Sequence, residues 1–177
     1  MVSILGLDRP LVEQAVEQAR GDDVLQVANL LCPGNIAVSG GKEGGIARVA
    51  TLRKQLLARN PNTITTLGGD LFSPSAIGTA RYQGEQLAGR QMVDVLNHFA
   101  LDYATFGNHE FDLKEQQFNQ RLLETQFTWI SSNVFAAGGQ PYTGVKQHLV
   151  IPVVDKKSGK TFKIGMFGLT LQANQPG

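Results

Sequence analysis

Two apolar runs flank one amphipathic helix in the middle of the chain, and that order constrains the fold more than any other feature. Thr63-Ile64-Thr65-Thr66-Leu67 is β-branched and reads as a buried strand, ending at Gly68-Gly69-Asp70. From about Arg90 to Ala100 the spacing predicts a helix whose apolar stripe is Met92, Val93, Leu96 and Phe99. Tyr103-Ala104-Thr105-Phe106 is the next strand, and it runs into Gly107-Asn108-His109-Glu110-Phe111-Asp112. Strand, crossover helix and strand imply parallel pairing with a right-handed crossover. Parallel neighbours end on the same edge of a sheet, so Asp70 should meet Asn108 and His109 where open α/β sheets bind ligands.

The flanking segments fit a mixed α/β chain. Residues 11–20 read as a helix with Leu11, Ala15 and Val16 on one face. Val24 to Leu31 is a strand candidate, Pro33-Gly34-Asn35 breaks it, and Ser39-Gly40-Gly41 with Gly44-Gly45 predicts a flexible loop. The clearest helix runs from Ile46 to about Arg59, with Ile46, Val49, Leu52, Leu56 and Leu57 at helical spacing. After Asp112 a polar helix is expected to about Leu123, with Leu113, Leu122 and Leu123 available for burial. Phe127 to Ile130 reads as a strand. Two more, Val145 to Val154 and Thr161 to Leu169, flank the turn-forming run Asp155 to Lys160.

Bulk properties exclude several classes. A length of 177 residues suits one ordinary domain. A formal charge of +1 leaves no electrostatic footprint for nucleic acid. The single cysteine, Cys32, cannot form an internal disulfide. No apolar run is long enough to span a membrane, and Met1 to Leu7 is too short for the core of a signal peptide.

The Gly107 to Asp112 run has a plain structural explanation, because Gly-Asn is a common turn and Asn a good helix cap. Its expected meeting with Asp70 favours chemistry instead. Hydrolysis of a phosphate ester through paired metal ions needs a bridging carboxylate, Asn and His ligands and a nearby proton donor. Asp70 suits the bridge, Asn108 a single-metal ligand, and His109 the general acid. Asp112, three residues on, can hydrogen-bond the imidazole. His98 on its helix and His148 in the late hairpin suit surface or packing roles. Asp102 is placed at the opposite sheet edge, and Glu110 is expected to bond nearby backbone.

The sequence resembles the calcineurin-like metallophosphoesterases, most closely their 5′-nucleotidase branch. The match is carried by Gly44 to Arg48, by Gly69-Asp70 with Ser73-Pro74-Ser75, by Gly107 to Asp112, by Ser132-Asn133-Val134 and by Ile164 to Thr170. The resemblance implies an α/β (α+β) fold, a β-sandwich flanked by helices and here a partial domain. Residues 1–23 would be an N-terminal helical extension and residues 24–177 the N-terminal portion of the metallophosphoesterase domain. It implies hydrolysis of nucleotides or related phosphoesters with two divalent metal ions, Mn, Zn, Fe, Mg and Ca being indistinguishable. The bridging Asp maps to Asp70, the Asn ligand to Asn108, the catalytic pair to His109 and Asp112, and substrate contacts to Asn108 and His109. It leans towards a periplasmic or extracellular location.

The sequence departs from the family in two places. The first-strand Asp-x-His positions read Leu31-Cys32-Pro33, and no Gly-His-x-His segment occurs before Gly177. The alternative expectation is therefore a degenerate, non-catalytic fragment that binds a ligand or partner. A partial sheet would also expose an edge, so self-association is expected.

Overall fold

The computed structural model describes residues 2–5, 9–20, 25–32, 35–40 and 45–172. The chain divides into two compact units, Met1–Leu67 and Gly68–Gly177.

The first unit is an antiparallel sheet with two helices. Its elements are β1 (Val2–Leu5), α1 (Arg9–Arg20), β2 (Leu25–Cys32), β3 (Asn35–Gly40), α2 (Gly45–Arg59) and β4 (Ile64–Leu67). Strand β1 lies between β3 and β4, with Val2 opposite Val38 on one side and Leu67 on the other. Strand β2 pairs with β3 through two register shifts, between Val27 and Asn29 and between Leu30 and Cys32. Two stretches differ from expectation. The short apolar Met1 to Leu7 run supplies a strand, and Ser39-Gly40 lie in β3 rather than in a loop. In an antiparallel ladder the backbone partners of β3 come from neighbours on both sides, which outweighs the weak strand preference of Ser and Gly.

Helix α1 buries Val12, Ala15 and Val16 and leaves Leu11 exposed. Helix α2 buries Val49, Leu52 and Leu56, three positions of the expected stripe, while Ile46 faces solvent. Arg59 closes the pair, donating to the Leu11 carbonyl at 3.3 Å and to Gln18 Oε1 at 3.2 Å.

The second unit begins with the loop that carries Asp70. A two-residue hairpin follows, β5 (Arg81–Tyr82) and β6 (Glu85–Gln86), turned by Gln83 and Gly84 at φ 52° and 84°. Helix α3 (Arg90–Phe99) buries Val93, Leu96 and Phe99. Next come β7 (Tyr103–Ala104), a short 3-10 turn over His109–Asp112, α4 (Glu115–Glu124) and β8 (Thr128–Trp129). Strands β7 and β8 are parallel, with Ala104 opposite Trp129. Strands β9 (His148–Val154) and β10 (Thr161–Phe167) form an antiparallel hairpin. Its turn is held by the Asp155 carboxylate, which accepts the N–H of Lys157 and of Ser158, each at 3.1 Å. Helix α4 corrects the expected burial: Phe118, Arg121 and Leu122 turn inward, and Leu123 is exposed.

An aromatic cluster forms the core of this unit. The Phe106 ring stacks on Trp129 at 4.9 Å and meets Phe118 at 5.4 Å, and Phe72 lies 5.6 Å from Trp129. Both Phe72 and Phe106 are almost fully buried. Phe72 follows Asp70 by two residues and Phe106 precedes Asn108 by two, so one apolar cluster anchors both site-bearing loops.

Candidate active site

The loop after β4 and the loop after β7 touch through backbone. Gly69 has φ 95°, and a Cβ there would strike the backbone of Gly107. A Cβ on Gly107 would lie 2.7 Å from the Asp70 nitrogen and closer still to Asp70 Oδ1. Glycine at both positions allows this approach. Asp70 itself is at φ 57°, a conformation uncommon for a residue with a side chain.

Glu110 locks the two loops together. Its carboxyl is fully buried. Oε2 accepts the N–H of Asp70 at 2.9 Å and of Gly107 at 2.5 Å. Oε1 accepts the N–H of Leu71 and that of Phe72, the latter at 3.3 Å. A buried acceptor satisfied by backbone donors from both loops fixes their relative position. The sequence suggests that Glu110 bonds nearby backbone, and it does so at Gly107. Its three partners at 70–72 carry no local sequence signal.

With the loops fixed, Asp70 and His109 come together as expected from their strand-end positions. The His109 backbone N–H donates to Asp70 Oδ1 at 3.2 Å. Asn108 opens the 3-10 turn with its side chain exposed and not used as a cap. Asp112 closes that turn, with Oδ2 lying 2.8 Å from His109 Nδ1. The same oxygen accepts the Ser73 hydroxyl at 2.9 Å. An ionised carboxylate only accepts, so Nδ1 is the donor and Nε2 is left for other chemistry.

The electrostatics follow from these contacts. The hydrogen bond to Asp112 raises the His109 imidazole above its ordinary value, partly opposed by desolvation and aided by the charge of Asp112 and of Asp70. The hydrogen bond from His109, followed by that from Ser73, holds the Asp112 carboxyl below the usual range. Both side chains are about half exposed, so solvent screens their attraction.

A cleft of about 550 Å³ adjoins Asp112, lined by Ser73, Ser75, Thr79, Lys114 and Gln117 among others. His98 lies apart from the site on α3, with Nδ1 2.8 Å from the Asp94 carbonyl, and His148 is exposed on β9. Asn133 takes a structural part: its side chain donates to the Thr170 carbonyl at 2.7 Å and accepts the Thr170 N–H at 3.1 Å. Leu31 and Cys32 end β2, and Pro33 lies outside the described residues, as do Asp22, Asp23 and Gly44.

The donor types fit a divalent cation: Asp70 presents a carboxylate oxygen at the loop contact, and the neighbouring residue Asn108 carries an exposed amide oxygen. The number does not suffice: among the described residues no three His, Cys, Asp or Glu side chains form a metal-holding group. Two donors fall short of the four or more that such ions take.

Comparison with solved structures decides the fold. The calcineurin-like phosphoesterase YfkN from Bacillus subtilis superposes with a TM-score of 0.55 at 22% identity, over 75% of this chain and 42% of that one. The Haemophilus influenzae NAD nucleotidase (NadN) gives 0.57 at 20% identity, over 96% of this chain and 30% of that one. The fold is that of the calcineurin-like phosphoesterases.

Sequence relatives agree with this fold. A 2′,3′-cyclic-nucleotide 2′-phosphodiesterase/3′-nucleotidase from Haemophilus influenzae is 33% identical over 131 residues, which is 70% of this chain. A human 5′-nucleotidase is 30% identical over 120 residues, 66% of this chain. The chain spans 20% of the length of each of these two relatives. No family model matches it. Among the described residues no helix is long and apolar enough to cross a membrane.

Proposed function

We propose that this chain belongs to the catalytic machinery of a nucleotide-type phosphoesterase, with His109 as the general acid. The observation that carries the proposal is the juxtaposition of Asp70 Oδ1 with the His109 backbone N–H, next to the His109–Asp112 contact at 2.8 Å. A carboxylate is bonded to the backbone of the residue whose imidazole has a defined hydrogen-bond partner, part of the set that phosphoester cleavage requires. Relatives named as nucleotidases and phosphodiesterases support the substrate class.

In this proposal Asp112 accepts from Nδ1 and keeps the ring oriented, while Nε2 delivers a proton to the departing alkoxide. Asp70 and Asn108 would be the oxygen ligands that this site offers to a divalent cation. The bound ion would supply Lewis-acid activation and charge neutralisation at the phosphoryl group. Glu110 keeps the ligand-bearing and acid-bearing loops in register.

A second proposal rests on the Leu31-Cys32-Pro33 sequence and the two-donor limit: a non-catalytic member that binds a phosphorylated ligand. One assay separates them. Phosphate release from AMP and p-nitrophenyl phosphate is measured with Mn²⁺ titrated in, for the wild type and for Asp70→Asn and His109→Ala. AMP hydrolysis that falls at least about 100-fold in both variants, with p-nitrophenyl phosphate turnover lost in Asp70→Asn and largely kept in His109→Ala, supports catalysis. Folded protein that releases no phosphate from either substrate overturns it and leaves the binding role.

A further inference from the structure

The His109–Asp112 pair cannot hold its own geometry. The side chains are 40% and 48% exposed and three residues apart on a short turn. An exposed pair of this kind gains little free energy and samples several rotamers. A third group meets it from a different loop. The Ser73 hydroxyl donates to Asp112 Oδ2 at 2.9 Å, the same oxygen that His109 Nδ1 approaches at 2.8 Å. Ser73 stands on firm backbone, directly after Phe72, which is 2% exposed and whose N–H is bound by Glu110.

We infer that Ser73 is a positioning residue: it fixes the Asp112 carboxylate, which holds the Nδ1–H of His109, so that the imidazolium presents its Nε2–H to the leaving group and the neutral ring left behind keeps its proton on Nδ1. The inference rests on His109 acting as the general acid. The physical step is simple. A carboxylate with one anchored donor loses a rotamer, and a ring nitrogen facing a fixed acceptor is held in one tautomer. Ser73 also lines the cleft beside Asp112, so the anchored serine forms a wall of the space adjoining the pair.

Two readouts on the full chain test this. The first is the ¹⁵N spectrum of the His109 imidazole without added metal, in wild type, Ser73→Ala and Ser73→Thr, with thermal melting as a fold control. Wild type should show two well-separated ring-nitrogen shifts for neutral His109. Ser73→Ala should collapse that separation towards a tautomer average, and Ser73→Thr should restore it. An unchanged spectrum in Ser73→Ala overturns the inference whether or not the chain hydrolyses anything.

The second readout is kinetic. Ser73→Ala should lower kcat about 10-fold on an alkyl phosphoester with KM unchanged. It should change turnover of p-nitrophenyl phosphate less than about twofold, because a nitrophenolate leaves without a proton. Equal loss on both substrates overturns the role of Ser73 and leaves the phosphoesterase proposal standing. Absence of any hydrolysis by the wild type overturns the phosphoesterase proposal, and the spectrum still decides whether Ser73 sets the tautomer.

Discussion

Glu110, fully buried, accepts the backbone N–H of Asp70 at 2.9 Å across 40 positions of sequence. Through its other contacts, to Gly107, Leu71 and Phe72, the same carboxyl joins the two loops at the point where their glycine backbones touch. The placement of the candidate acid relative to the candidate metal-binding carboxylate therefore depends on a residue that need not touch substrate.

Glu110→Gln should destabilise the second unit without altering its size. The amide presents N–H₂ where a carboxyl oxygen now accepts, so two backbone donors lose their partner in a buried place. The expected cost is about 2–4 kcal/mol, a fall in melting temperature of roughly 10 °C or more. Urea denaturation of wild type and variant measures it. A difference under about 0.5 kcal/mol would show that these contacts carry no stability.

Gly107→Ala should separate the loops rather than melt the protein. The new methyl would meet the Asp70 nitrogen at 2.7 Å, so the Asp70 loop must retreat. We expect a loss of about 1–3 kcal/mol. Amide hydrogen exchange should also speed up at Asp70 to Phe72, where Glu110 protection is lost. Unchanged exchange at those amides would sink the expectation.

The contrast between Asp70 and Ser73 shows what a sequence exposes. Asp70 was readable because it follows a strand, and strand-end residues of a β-α-β unit share an edge. His109 and Asp112 were readable because they are three residues apart. Ser73 sits in a loop with no period, and its partner lies 39 positions away, so nothing local marks it. The reach of Glu110 to residues 70–72 is hidden for the same reason. The fold shows a parallel limit. Helices α2 and α3 were legible from apolar stripes, whereas β3 is masked by Ser39-Gly40, and β5 and β6, two residues each, are too short to show a period.

The β9–β10 hairpin should drive self-association. Val150 and Phe167 project from one face and Phe162 from the other, exposed by 58%, 70% and 56%. Apolar residues on both faces of a two-stranded ribbon invite a covering partner. Light scattering should show concentration-dependent association, reduced by the double substitution Phe162→Ser and Phe167→Ser. A monodisperse monomer across the whole concentration range would refute this.

The pH response of the metal-free chain tests the His109–Asp112 contact from both ends. His109 titrates above about 6.5 when folded, the usual imidazole value; its hydrogen bond to Asp112 is the main cause. Its contribution to stability is fully present below that unfolded value and is lost as pH rises through the folded one. Asp112 is held low, first by His109 and then by Ser73. Its contribution is present above the unfolded carboxyl value of about 3.9 and is lost as pH falls through the folded value. Between those limits the contact is intact. Asp112→Asn should return the His109 midpoint towards about 6.5, followed by NMR titration of the ring protons. Ser73→Ala should move the Asp112 midpoint only part of the way back to its ordinary value, because the bond from His109 outranks the bond from Ser73 in lowering it. A His109 midpoint that stays put in Asp112→Asn would mean the 2.8 Å contact is not formed in solution.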